Sequence, residues 1–196
     1  MLQIELNNLI QLHEKYINGE IGGEQLVLTE LNLNKLTFYG SNLLDAVFID
    51  CTISDCKFDR ANLTEAVFKD CAISNTSFYN ANCTKIRITN STLNNLDLSN
   101  LNFNLAELLN SKFISSNLSN ANLINSSLYC SDFYGANLEN AVLINAMMHN
   151  VNLTCANLRY ANLQSANLIN AKIVNTNLDK CNLTGANLNV DSNIRR

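Results

Sequence analysis

The sequence predicts an all-β solenoid, on three observations. From Leu33 to Leu188 an apolar residue stands at every fifth position, 32 times without an insertion and bulky everywhere but at Cys83, and all eight phenylalanines fall on that register. Two positions before each runs a series of smaller residues, among them Ala46, Cys51, Cys56, Ala61, Ala66, Cys71, Ala136 and Ala166. A polar residue separates the two, Asn in 15 of the 32 pentads. Small-in, polar-out, large-in is the alternation of a very short strand. A helix would smear a period of five around its circumference, so only a coil built of several pentads satisfies the pattern. Such repeats bury a continuous core by stacking on their neighbours.

Composition narrows the function. The 196 residues include 36 asparagines and no proline, and only 15% are charged, which describes one domain or one rod and no disordered acidic linker. A net charge of −4 and a pI near 5.1 argue against a general nucleic-acid binder. No stretch approaches the ~18 consecutive apolar residues of a membrane span. The start, Met1-Leu2-Gln3-Ile4-Glu5, lacks the basic, apolar character of a secretory signal, so a cytoplasmic location is expected.

The A-N-L-x-x pattern, as in Ala156-Asn157-Leu158-Arg159-Tyr160 and Ala186-Asn187-Leu188, resembles the pentapeptide-repeat family over residues 31–190. The resemblance implies a right-handed quadrilateral β-helix with four pentads per coil, hence about eight coils. At ~4.8 Å per layer the rod would be about 38 Å long.

Three segments are expected: residues 1–25 as an N-terminal cap, 26–190 as the repeat β-helix, and 191–196 as a C-terminal tail. Leu2, Leu6, Leu9, Ile10, His13 and Ile17 form an apolar stripe at helical spacing over residues 2–17, with Gly19 as the C-terminal stop and Gly22-Gly23 as a flexible joint. The segment Glu14 to Glu20 resembles the helical leader of cyanobacterial members, and its expected role is to cover the open edge of the first coil. Beyond Leu188 no such cap is visible, and an exposed edge there would let two copies join as a homodimer through their C-terminal ends. Leu31, Leu36, Ile86, Leu96 and Leu101 are oversized for the small series. The last three should bulge or repack the middle coils, where Cys83 is undersized in the large series.

Catalytic chemistry finds little footing. Cys51, Cys56, Cys71 and Cys181 fall on the small inward series and Cys83 on the large one, so they are expected as free, buried apolar side chains. Cys130 and Cys155 fall at corners, without a CxxC partner or a nearby histidine, so no zinc site and no cofactor is expected. His13 belongs to the helix stripe; His149 faces outward without an adjacent carboxylate, which suits a contact residue better than a general base. An enzyme is not expected.

Two surface features point to partners. Four pentads per coil would place Leu109, Tyr129, His149 and Ile169 on one face with Met147 beside them, and Ile124, Val142 and Ile144 on the adjoining face. Outward apolar residues are not needed to fold a solenoid, so this patch suggests a protein-interaction or scaffold surface for a partner of unknown identity. The alternative rests on stacked acids, Asp45 with Glu65 and Asp50 with Asp70. Some members of the resembled family are acidic, DNA-shaped rods that inhibit DNA gyrase, and such mimicry needs a long negative stripe. Lys57, Arg60 and Lys69 interrupt this one, and no direct nucleic-acid or membrane binding is expected. A third reading is a structural spacer with no specific ligand.

Overall fold

The computed structural model describes residues 1–188; the tail expected at 191–196 lies outside the described residues, as do 189 and 190. The chain opens with α1 (Gln3–Ile17). The Leu2 N–H donates to Glu5 Oε2 at 2.7 Å, which is half of a capping box. At the other end Gly19, with φ of +68°, donates to the Tyr16 carbonyl and Glu20 to the Lys15 carbonyl, the paired bonds of a Schellman stop. Leu6, Ile10 and His13 are buried, and Leu9 and Ile17 half-buried. Leu2 departs from the expected stripe: it precedes the first turn and is 66% exposed. Nor is Gly22-Gly23 a loose joint. A Cβ on Gly23 would collide with the Tyr16 backbone nitrogen, and Glu24 N–H donates to the Leu12 carbonyl at 3.0 Å. Glycine is needed there for close packing of the linker on the helix.

The rod follows. Strands β1 (Val27–Thr29), β3 (Val47–Ile49), β5 (Val67–Lys69), β7 (Arg87–Thr89) and β8 (Glu107–Leu109) form one parallel sheet in that order. Strands β2 (Asn32–Asn34), β4 (Thr52–Ser54) and β6 (Ala72–Ser74) form a second. Every partner is twenty residues away, as in Leu28↔Phe48 and Ile53↔Ile73. The same offset continues through single bridges from Thr37↔Lys57 to Asn167↔Asn187. Four pentads therefore close one coil, and its four faces are centred in one layer on Phe48, Ile53, Phe58 and Leu63; they are called first to fourth below. The architecture is an all-β solenoid with one N-terminal helix.

The pentad's fifth residue turns each corner, and it does so in the left-handed region, for example Asp45 at φ +59°, Asn90 at +53° and Leu105 at +59°. Asparagine, aspartate and glycine tolerate that conformation best, which accounts for their frequency there. Where alanine follows, the turn closes on itself: Ala46 N–H donates to the Leu43 carbonyl and Ala136 N–H to the Phe133 carbonyl, both at 3.0 Å. At the start of the second face a buried serine one coil later takes the donor instead. Ser91 Oγ accepts from Cys71 N–H at 2.9 Å, Ser111 Oγ from Ser91 N–H at 3.1 Å, and Ser131 Oγ from Ser111 N–H at 3.0 Å. Buried hydroxyls thus satisfy backbone that alanine corners satisfy locally.

The large series from Leu33 to Leu168 is buried along the axis, and Ile173, Leu178, Leu183 and Leu188 in the last described coil are half-buried. Early coils are filled by stacked rings: Phe38 on Phe58 at 4.3 Å, Phe48 on Phe68 at 4.5 Å, Phe58 on Phe78 at 5.1 Å. The middle coils distort as their side-chain sizes suggested. Among the described residues no bridge joins Ser77 to Asp97, though the third face is bridged above and below. A small apolar void of about 10 Å³ lies beside Cys83, Ile86, Leu101 and Phe103. Cys83 yields more room than Ile86 and Leu101 refill.

Candidate functional site

The twenty-residue coil stacks Leu109, Tyr129, His149 and Ile169 in one column of the first face. Backbone bonds hold the register: Asn110 N–H to the Tyr129 carbonyl, Cys130 N–H to that of His149, and Asn150 N–H to that of Ile169, each at 3.0 Å. The Tyr129 and His149 rings lie 6.2 Å apart at 40°. Tyr129 is 46% and Met147 50% exposed, while Leu109, His149 and Ile169 are half-buried.

On the fourth face Asn side chains form ladders, with Nδ2 donating to the Oδ1 twenty residues before: Asn62 to Asn42 at 2.8 Å, Asn122 to Asn102 at 3.1 Å, Asn182 to Asn162 at 3.1 Å. Val142 stands where the next rung would be, bridged to Asn122 and Asn162 through backbone alone. Ile124 and Ile144 flank it, and all three are half-buried. The corner between the two faces passes through Asn125 and Asn145, whose amides bond at 3.1 Å. All eight apolar-patch positions thus lie on two adjoining walls, Ile124 and Ile144 at the corner those walls share and Tyr129 and His149 at the far corner of the first face.

Spacing alone missed Leu105. It occupies the shared corner, 45% exposed, and its N–H donates to the Ile124 carbonyl at 3.0 Å. The available signal was a bulky residue at a corner, where left-handed backbone disfavours it. The first face also carries Val27, Val47, Ile49 and Val67 outward in the early coils, and Arg87 and Glu107 separate that stretch from the later patch.

The acidic residues are interleaved with cations. Glu65 accepts from Lys85 Nζ at 2.8 Å, and this bond holds its carboxyl below the usual carboxylate range. Asp45 Oδ1 is 3.9 Å from Arg87, and Asp70 lies 4.0 Å from Lys69 and accepts from Asn90 at 3.0 Å. Asp50 stacks one coil before Asp70 on the same corner. The stack is real, and its negative charge is partly offset.

All seven cysteines are free; Cys51, Cys56, Cys71 and Cys83 are buried, Cys130 and Cys155 exposed. Cys181, expected as buried, is only half-buried, as are Ile173, Leu178 and Leu183 of the same coil. Burial pushes the Cys83 thiol up to about 12 and raises that of Cys56, so neither supplies a thiolate near neutral pH. Among the described residues no three His, Cys, Asp or Glu side chains converge as a metal site.

Short parallel strands and single bridges, repeated every twenty residues with four pentads to the coil, define a β-solenoid. The chain belongs to the pentapeptide-repeat family: the profile described as "Pentapeptide repeat region" matches residues 28–98, and "Pentapeptide repeats (8 copies)" matches 116–154, 131–168 and 161–189. Two trypsin-treated variant structures of QnrB1, a plasmid-mediated fluoroquinolone resistance protein, share the fold. The first is 22% identical with a TM-score of 0.62, covering 85% of this chain and 87% of that one. The second is 21% identical with a TM-score of 0.60, covering 84% and 90%. HetL of the cyanobacterium Nostoc sp. strain PCC 7120, involved in heterocyst differentiation regulation, is 20% identical over 88% of this chain and 93% of that one, at a TM-score of 0.31. No curated protein matches the chain. Among the described residues no helix is long and apolar enough to cross a membrane.

Proposed function

We propose that this protein is a non-catalytic interaction module of the cytoplasm, in which residues 26–190 form a rod of eight coils and residues 1–25 its cap. The apolar surface spread over the first face and the adjoining part of the fourth receives a protein partner. The observation that carries this reading is the placement of Leu105, Met147 and Tyr129, exposed and apolar, across the first face from one corner to the other, on a wall whose fold needs none of them outward. Backbone hydrogen bonds hold that wall, so binding would lose little conformational freedom. The flanking Asn125, Asn145 and Asn150 supply a neutral polar rim.

The stacked acids support a second reading, mimicry of duplex DNA toward a DNA-handling enzyme such as gyrase. Lys85, Arg87 and Lys69 beside Glu65, Asp45 and Asp70 make it the weaker one, because a mimic needs an unbroken negative stripe.

One experiment separates them. The wild type, Tyr129→Glu, and an Asp50→Lys/Asp70→Lys double variant are used as bait in lysate of the host cells, and any captured protein is purified and titrated against all three. Loss of binding with Tyr129→Glu alone supports the apolar wall. Loss with the lysine variant alone supports mimicry. Equal binding by all three retires both surfaces, and capture of no protein by any of them leaves a spacer role.

A further inference from the structure

The N-terminal helix covers the first coil through two polar contacts as well as apolar packing. The Gln3 carboxamide stands in for a missing strand: its Oε1 accepts from Thr37 N–H at 2.8 Å and its Nε2 donates to the Thr37 carbonyl at 2.9 Å. The second contact is His13, whose Nδ1 accepts from Leu26 N–H at 3.0 Å, immediately before β1. The His13 side chain is fully buried, and Nε2 has no hydrogen-bond partner. Leu6 and Ile10 of the same helix share one apolar core with Leu26, Leu28 and Leu33.

We infer that His13 is a pH-sensitive latch: the helix seats on the first coil only while its imidazole is neutral, and protonation releases the cap. The chemistry is direct. Nδ1 accepts, so the seated ring is the neutral tautomer with its hydrogen on Nε2. A second proton would add to Nδ1, turn the acceptor into a donor facing the Leu26 donor, and place a charge in a site without solvent.

The groups around the ring act in both directions. Burial lowers the His13 pKa from its ordinary value. The Leu44 backbone, without reaching hydrogen-bond geometry, and the charges of Asp45 on the first coil and Glu14 on the helix act against burial. Tyr16 of the helix stacks on the ring at 5.9 Å. Asp45 is itself engaged by Arg87 at 3.9 Å and by Gln25 Nε2 of the linker, 2.7 Å from its carbonyl and 3.3 Å from Oδ2. Glu65, which borders the neighbouring groove, is engaged by Lys85 at 2.8 Å. Burial dominates, so the released state binds the proton more readily than the seated one. The cap is therefore fully seated above the ordinary histidine pKa of ~6.5 and loosens as pH falls from there toward the lower value of the seated ring. Release bares the Thr37 amide and carbonyl and the start of the parallel ladder, an edge competent to pair with another strand.

Only two histidines exist, so His149→Gln leaves the His13 imidazole as the sole such signal. The test follows that signal by nitrogen NMR on the full chain, together with amide hydrogen exchange of Leu6, Ile10 and Leu26, between about pH 7.5 and 5. The expected result is an Nε2-protonated neutral ring at the upper limit. Below ~6.5 the opening constant of those three amides should rise by about tenfold per pH unit, the slope for uptake of one proton. His13→Asn, which keeps an acceptor near the Nδ1 position, should abolish that slope. Opening that is independent of pH, or a slope that persists in His13→Asn, overturns the latch. If His13→Asn does not seat the cap, the background variant's ring titration decides: a His13 pKa at or above ~6.5 overturns the proposal, and one below it coincident with amide opening supports it.

Discussion

The N-terminal and C-terminal halves of the rod share one backbone and differ in what fills and decorates it. Early coils are packed by stacked phenylalanines, edge-on to one another across the axis, as Phe58 is to Phe68 at 5.9 Å. Later coils are packed mostly by leucine, with the stack of Phe113 on Phe133 at 4.9 Å among it and alanine more frequent in the small series. The early surface carries three ion pairs, against Arg159 with Asp179 in the later coils, and the later one carries the exposed Leu105, Tyr129 and Met147. Between the halves lie the void beside Cys83 and the unbridged step between Ser77 and Asp97. A solenoid tolerates this because each coil answers only to its neighbours. The two halves can specialise, and the cost of mismatch stays at the waist.

The sharpest test of that difference removes one large side chain from each half. Phe58→Ala should lower stability by ~3–5 kcal/mol, because the ring contacts four other phenylalanines. Leu158→Ala, on the same face five coils later, should cost less by at least the ~0.5–1.5 kcal/mol of one aromatic pair. Equal shifts in urea midpoint would show that the rings contribute no more than apolar area.

Filling the waist should have the next largest effect. Cys83→Val should stabilise by ~0.5–1 kcal/mol, the usual return for a filled void. Cys83→Phe should overpack and destabilise by ~1–3 kcal/mol. Thermal unfolding of the pair checks whether the void or the missing bridge limits this region. If Cys83→Val brings no gain, the void is not the weak point.

Leu105 ties stability to the proposed site. Its left-handed backbone disfavours a branched side chain, so Leu105→Asn should raise stability by about 1 kcal/mol while weakening capture of a partner at the apolar surface. A loss of stability instead would mean that the side chain packs as core. The smallest effect is expected from the early ion pairs. Lys85→Ala exposes Glu65 on a solvated corner and should leave Tm unchanged at about 0.15 M salt. A measurable drop would assign the early surface a structural role in its charge.

Much of this was legible before the fold was known. The positions of Leu33 through Leu168 declared themselves as core by spacing, as did the N-terminal helix by its stripe. Leu2 misled, since periodicity does not reveal which residue precedes the first turn. Gly23 misled too, because a glycine needed for close approach and one serving as a hinge look alike in sequence. Leu105 escaped notice because the pentad spacing does not mark the corner position as special, and only the backbone shows that the corners are left-handed. The Gln3 clamp on Thr37 spans 34 residues and leaves no local pattern at all.

By itself, the sequence determined the short strands, the buried series and the solenoid. A period of five with two-residue alternation admits no helix and no long strand. Which residues meet on the surface was decided only by the tertiary structure. Closure of the coil at twenty residues brings Tyr129 beside His149 and sets Ile124 and Ile144 around the corner from Met147. That closure depends on the turn angle of every corner and on hydrogen bonds between coils, and neither is encoded within a single pentad.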